Sequence, residues 1–160
     1  MGFCWVCNPT YRYLVSDVDG RMVAVCISLE TDMAAVATPE HFRRYGFPET
    51  PQDLAAHPCI AYQFADGSIY PWPFHQNGHT FKHTPQGQWA FADSHMEAEA
   101  ARRGLGVAYV PLDLVADDIA EGRLTRVLPT YSDRLPALYL YYPHRNISPA
   151  LKAVADTLKV

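Results

Sequence analysis

Clustered positive charge is what this chain lacks first. Thirteen Lys and Arg stand against seventeen Asp and Glu, a formal net charge of −4 over 160 residues. The only Arg pairs, Arg43–Arg44 and Arg102–Arg103, fall at the ends of expected helices. A nucleic-acid face needs a basic stripe, so the chain itself is not expected to bind DNA. Long apolar runs are missing too. None approaches the roughly 20 residues that span a bilayer as a helix, so no membrane partner is expected. The first thirty residues lack the basic-then-apolar layout of a signal peptide, which makes the cytoplasm the expected compartment. Cysteine is scarce: Cys4, Cys7, Cys26 and Cys59 are too few and too irregular for a disulfide scaffold. In a reducing compartment they are expected as free thiols. Repeats and low-complexity segments are absent as well.

What is present is apolar content sufficient for a core, 49% of residues. The length fits one domain or a small two-lobed one. Strand signals stand at Met22–Ile27, Met33–Ala37, Cys59–Phe64, Gln88–Phe91, Val107–Val110, Leu124–Leu128 and Ala137–Tyr142. Between them lie helical stretches. Pro39 opens one that Gly46 ends, and Thr50-Pro51 supplies a cap and first-turn proline for another through Ala56. Pro111–Ala120 and a helix from Ser148-Pro149 to Leu158 follow. Ile69–Phe74 and His79–His83 flank Gln-Asn-Gly and predict a hairpin. The alternation of strands and helices predicts an α/β fold with a mixed or parallel sheet.

Phe91–Pro111, FADSHMEAEAARRGLGVAYVP, carries most of the information. It predicts strand end, capped helix, glycine stop, buried strand and proline. Ser94 and Glu97 have the spacing of a capping box, Glu99 faces Arg103 at i+4, and Gly104 is the stop. A helix start at the end of a strand is a common seat for a small polar or anionic ligand in α/β sheets. No nucleophile stands with a base, so the segment predicts binding rather than catalysis, and no cofactor is called for.

Several constellations have a bland reading beside a functional one. Cys4-Trp5-Val6-Cys7 is a C-x-x-C, but it lacks the strand–helix context that activates a thiol and a second ligand pair for zinc. A thiol redox or metal module on Cys4 and Cys7 is therefore the alternative reading. His75, His79 and His83 recur every four residues, yet the expected hairpin spreads them too far to share an ion. Asp93, Ser94 and His95 are adjacent and cannot form a triad. Tyr139, Tyr141 and Tyr142 fit half-buried strand aromatics. Tyr62, Phe64, Tyr70 and Trp72 fit either a pocket wall or the core of a small lobe.

Taken together, MAAVATPEHFRRYGFPETPQDLAAHPCIAYQF, FADSHMEAEAARRGLGVAYVP with LDLVADDIAEGRLTRVL, and LYLYYPHRNISPALKAVADTL resemble the effector-binding domain of LysR-type transcriptional regulators. The resemblance covers about Gly20 to Leu158. It implies a periplasmic-binding-protein-like (type II) two-lobed domain with a small-molecule effector between the lobes, and a homodimer as an assembly. By it, lobe two is about 58–121, complete, and lobe one about 21–57 and 129–160, partial. Crossovers are expected near Val36–Pro39 and Arg123–Leu128. Residues 1–20 do not match the pattern, and no helix-turn-helix is present, so the resemblance is to a truncated member. It implies Thr38, Pro39, Tyr62, Phe64, Asp93 and Ser94 as effector-binding residues, with Ala92 where the family often has Asn. Thr38, Phe64 and Ser94 are expected to converge on one cleft. There an organic acid would place its carboxylate on the amides after Ser94. A solute-binding protein of the same fold is a further alternative, disfavoured by the absent signal peptide.

Overall fold

A computed structural model describes residues 22–143 and 148–158. The chain forms two compact units, divided between Thr31 and Asp32 and between Arg134 and Leu135. Val36–Pro39 and Arg123–Leu128, expected as crossovers, therefore lie inside the larger unit, 32–134. That unit takes in more than the 58–121 expected of the second lobe. Cys4, Cys7 and the rest of 1–20 fall outside the described residues.

In the smaller unit, β1 (Met22–Cys26) lies antiparallel to β10 (Tyr139–Pro143) in the register Met22↔Pro143 to Cys26↔Tyr139. Tyr139 is about half exposed and Tyr141 and Tyr142 are half-buried, as alternating strand aromatics are. The helix α4 (Pro149–Leu158) starts where the Ser-Pro pair predicts. The Leu151 amide donates to Ser148 Oγ at 3.2 Å, and proline loses nothing at the first turn.

The larger unit is built on β2 (Thr31–Ala37), whose Met33–Ala37 are all buried. It runs antiparallel to β7 (Ala108–Pro111) on one side and to β8 (Thr125–Val127) on the other. Alternation sends successive side chains to opposite faces. Ala34 and Val36, with Ala108 and Val110, pack under α2 (Ser94–Arg102) against Ala98 and Ala101. Tyr109 points the other way and meets the rings of Trp72 and Phe74 at 5.4 and 5.1 Å. Those two rings belong to β4 (Trp72–Gln76), hairpin partner of β5 (His79–His83). The turn is Asn77-Gly78, with φ of 51° and 79°, the left-handed pair that a two-residue hairpin requires. Its first strand starts three residues later than Ile69. Trp72 is completely buried, so it belongs to the core.

The third component is a parallel pair, β3 (Ile60–Tyr62) with β6 (Trp89–Phe91), in the register Ile60↔Trp89 to Tyr62↔Phe91. β3 is joined to β7 only at its start, through the bridge Cys59↔Val107. Ile60 N donates to Val107 O at 2.7 Å and Val107 N to Pro58 O at 2.9 Å. On the other side Cys59 N donates to Gln86 O at 2.8 Å. Two glycines make this closeness possible. A Cβ on Gly87 would stand 1.9 Å from Cys59 O, and one on Gly106 2.5 Å from Pro58 O.

Two helical expectations need correcting. Pro111 still pairs with Met33 in the β2–β7 ladder, so the chain leaves the strand later than predicted. Leu112–Leu114 is then a single 3-10 turn and the helix proper, α3, is only Ala116–Ala120. Pro51–Ala56 is likewise 3-10, following α1 (Pro39–Tyr45). A two-residue strand, β9 (Arg134–Leu135), marks the end of the unit.

Candidate functional site

β3 and β6 run parallel, so both end at one edge of the sheet. From β3 the chain passes into a tight loop and returns: Gln63 N donates to Phe91 O at 2.8 Å, Phe64 N to Ser68 O at 2.9 Å, and Tyr70 N to Tyr62 O at 2.8 Å. Asp66 holds the tip, its Oδ1 accepting from Ser68 N at 2.9 Å and Ser68 Oγ at 2.6 Å. Those bonds keep its carboxyl below the usual range. The result is a small aromatic array. Tyr62 and Phe64 meet edge to face at 5.3 Å, and Phe64 and Tyr70 at 6.0 Å. All three are half-buried, which suits a wall more than a core.

From β6 the chain runs through Ala92 into α2. The cap is Asp93, not Ser94. Asp93 has extended backbone (φ −148°, ψ 127°), and its Oδ1 accepts from His95 N at 2.9 Å and Met96 N at 3.1 Å. Ser94 becomes the first helical residue, and its hydroxyl reaches Glu97. Asp prevails because its carboxylate serves two first-turn amides at once and carries the charge that a helix N-terminus favours.

Glu97 is the residue that sequence reasoning missed. It was expected as the capping-box partner of Ser94 and is 1% exposed. Its Oε1 has no hydrogen-bond partner among the described residues. Burial first, and the nearby Asp93 charge, push its carboxyl up to about 8, against the opposing bond from Ser94. A signal did exist: position 97 shares the i, i+3, i+4 stripe of Ala100 and Ala101, both buried.

Tyr62, Phe64, Asp93 and Ser94 thus gather at the carboxyl ends of β3 and β6. Thr38 and Pro39 do not join them. β2 runs against β7, and β7 starts beside the start of β3, so Thr38 lies where the parallel strands begin. Its Oγ1 accepts from His41 N at 3.3 Å and lies 3.6 Å from where a Cβ on Gly104 would be, at the far end of α2. Nine helical residues put about 13 Å between the two ends of that helix. The predicted convergence of Thr38 with Phe64 and Ser94 is therefore corrected. Strand direction, which residue spacing does not encode, decides it.

At that other edge Thr38, His41, Arg44, Pro58, Arg103 and Gly104 line a cleft of about 420 Å³. Under it His41 and His57, 5% and 4% exposed, share a hydrogen bond, Nε2 to Nδ1, at 3.1 Å. Burial, then the neighbouring His57, lowers His41 to about 4. The histidines of the hairpin make no common site. His75 bonds Asp133 at 2.8 Å and Thr80 at 2.8 Å, while His83 packs on Trp72 at 5.5 Å. Among the described residues no group of three or more His, Cys, Asp or Glu is placed to hold a metal ion. No helix among them is long and apolar enough to cross a membrane.

A parallel strand pair that ends under a helix start is the geometry of α/β ligand-binding lobes. The LysR substrate binding domain matches residues 17–159, and the chain belongs to that family: it is the effector-binding domain of a LysR-type transcriptional regulator. It is similar to the HTH-type transcriptional regulator YcaN of Escherichia coli, 32% identical over 143 residues, 89% of this chain and 46% of that one. It is similar also to the HTH-type transcriptional regulator PgrR of Escherichia coli, 32% identical over 148 residues, 91% of this chain and 50% of that one. The chain spans about half the length of these curated relatives. In fold it is similar to the regulatory domain of CrgA from Neisseria meningitidis, with a TM-score of 0.72 and 22% identity over 88% of this chain and 69% of that one. The regulatory domain of AphB from Vibrio vulnificus gives a TM-score of 0.71 and 23% identity over 88% and 69%. The fold is thus the periplasmic-binding-like type II class expected.

Proposed function

We propose that the larger unit binds a small-molecule effector at the carboxyl edge of β3 and β6, against Tyr62, Phe64, Asp93 and Ser94. The observation that supports this most is the meeting of a half-buried aromatic array with a capped helix N-terminus at one strand edge. A pocket needs an apolar wall and a few convergent polar groups, and this edge supplies both. Thr38 and Pro39, at the other edge, are left out of the proposed site. The effector acts by shifting populations of conformers, so the chain performs no catalysis. DNA contact is left to other parts of a full-length regulator, since the net charge of −4 offers no basic face. A homodimer and a cytoplasmic setting complete the reading.

The test is amide NMR of the isolated chain titrated with a fragment library. Hits are expected to move the amides of 62–64 and 93–97, and Phe64→Ala with Ser94→Ala to abolish those shifts. Hits that move other residues, and survive both substitutions, would remove the site. An anisotropy titration with duplex DNA should show no salt-sensitive specific binding.

A further inference from the structure

We propose that this edge selects a ligand bearing a cationic nitrogen, received by the carboxyl groups of Asp93 and Glu97 with the rings of Tyr62, Phe64 and Tyr70. The inference rests on the site proposed above and changes the ligand chemistry expected there from an organic acid to an organic cation.

The amides that a ligand carboxylate would need are already taken. Asp93 Oδ1 holds His95 N and Met96 N, and the Asp93 carbonyl accepts from Glu97 N at 3.1 Å. A second anion would have to displace Asp93, and it would sit beside a carboxylate of like charge. The same two observations that repel an anion attract a cation.

Glu97 adds an independent reason. Helical side chains lean toward the N-terminus, and the Ser94 bond to Glu97 puts its carboxyl at the first turn of α2. It is buried with Oε1 unpartnered. A buried polar atom without a partner is costly, so a donor arriving from a ligand satisfies a need that the chain leaves open. A primary ammonium brings three such donors, a secondary or tertiary one fewer, and a charge as well.

No Lys or Arg competes for that role nearby. α2 lies on β3, β6 and β7, and these three strands contain no Lys, Arg, His, Asp or Glu. Their titratable side chains are Tyr62 and Tyr109, and Tyr109 faces the opposite side of the sheet, toward Pro73. On α2 itself, His95 of the first turn is exposed to solvent, and Arg102 and Arg103 lie in the last turn, held by Asp118 and Glu99. From Tyr45 to Ala101 the only Lys or Arg is Lys82, on β5 in the hairpin that covers the other face. Arg126 of β8 is separated from β3 by β2 and β7, and its guanidinium is held by the Met33 carbonyl at 3.2 Å and Asp32 at 3.5 Å. Three aromatic rings at the strand edge where these two carboxyl groups stand form a setting for a cation, whose charge is attracted to ring faces.

Binding has a proton signature. A neutral Glu97 that meets an ammonium gives up its proton to solvent, so complex formation releases a proton. The test uses matched probes, phenethylamine and phenylacetate, with 2-phenylethanol as the neutral control. Each is followed by amide NMR and by calorimetry in two buffers of different ionisation enthalpy. We expect phenethylamine to move the amides of 62–64 and 93–97, to bind at least tenfold tighter than phenylacetate, and to release a proton at pH 7. Glu97→Gln keeps the shape and removes the charge. It should weaken phenethylamine about tenfold, abolish proton release and leave 2-phenylethanol unaffected. Asp93→Asn retains the cap and is a second variant with the same expected direction.

Phenylacetate binding tighter than the amine at the same residues would overturn the cation preference while leaving the site standing. Shifts at those residues from none of the three probes would overturn both. Amine binding unchanged in Glu97→Gln and Asp93→Asn would remove the two carboxyl groups from the account.

Discussion

Tyr109 and Pro73, 36 positions apart, are joined by one buried hydrogen bond: the Tyr109 hydroxyl donates to the Pro73 carbonyl at 2.9 Å. The same oxygen accepts from Asp133 N at 2.9 Å. One hydroxyl therefore ties the central sheet to the covering hairpin and to the segment that ends the unit. Proline suits the first partner, since its carbonyl is its only polar backbone group.

Tyr109→Phe deletes that hydroxyl and leaves a carbonyl and an amide without it. The expected loss is about 1–3 kcal/mol in the urea unfolding free energy, the cost of unmet buried groups. Retention of full stability would show that water replaces the hydroxyl at both partners.

Asp118 should be the most sensitive ionic position. Its side chain is 5% exposed and accepts from Arg102 Nε at 2.8 Å and Arg123 Nε at 2.7 Å. Arg102 also donates to the Leu114 carbonyl at 3.0 Å, so the cluster ties the end of α2 to α3. Asp118→Ala is expected to cost about 3 kcal/mol, the lower end for breaking a buried pair, because Arg123 can turn to solvent. Arg123→Ala, an exposed partner, should cost under about 1 kcal/mol. Thermal and urea unfolding of both variants rank the two, and the reverse order would remove Asp118 as the anchor.

Two buried groups give stability opposite pH trends. His41 is lowered from 6.5 to about 4, chiefly by burial. Its contribution is complete above pH 6.5 and is lost as pH falls toward 4. Glu97 is raised from 4.5 to about 8, again chiefly by burial. Its contribution is complete below pH 4.5 and is lost as pH rises through 8. Each arm can slope by at most one proton, about 1.4 kcal/mol per pH unit. Urea midpoints between pH 4 and 9 should flatten on the acid side in His41→Leu and on the alkaline side in Glu97→Gln. Parallel curves for wild type and both variants would refute the assignments.

Cys59 should resist alkylation while the chain is folded. Its thiol is 1% exposed, and burial pushes it up to about 12. Only the thiolate attacks. Iodoacetamide followed by peptide mapping should label Cys26, which is half-buried, well before Cys59. Early labelling of Cys59 would mean that β3 opens locally.

Much of this was legible before any coordinates. The hairpin turn at Asn77-Gly78 was, because only a left-handed pair closes two strands so tightly. The stop at Gly104 was also, with φ of 74°. So were the Ser148-Pro149 start and the Glu99–Arg103 pair, 2.8 Å apart. Asp93 displaced Ser94 as cap because two adjacent capping residues compete and local spacing cannot choose between them. Thr38 was assigned to the wrong edge because strand direction is set by pairing with β7, a partner seventy residues on. Glu97 was read only as a capping-box partner, because its spacing from Ser94 was weighed and its place on the buried stripe was not.

The glycine clasp at Cys59 and Pro58 sets the two ends of the sheet under different selection. At the end where Gly87 and Gly106 let three chain segments touch, there is no room for even one added methyl group. That end can accept almost no change. Past Ile60 no ladder joins β3 to β7, and the open end is paired on the β6 side alone, Tyr62 with Phe91. Tyr62, Phe64 and the helix start can vary without disturbing the closed end. Single substitutions at the open end can thus reshape that edge and keep the scaffold intact.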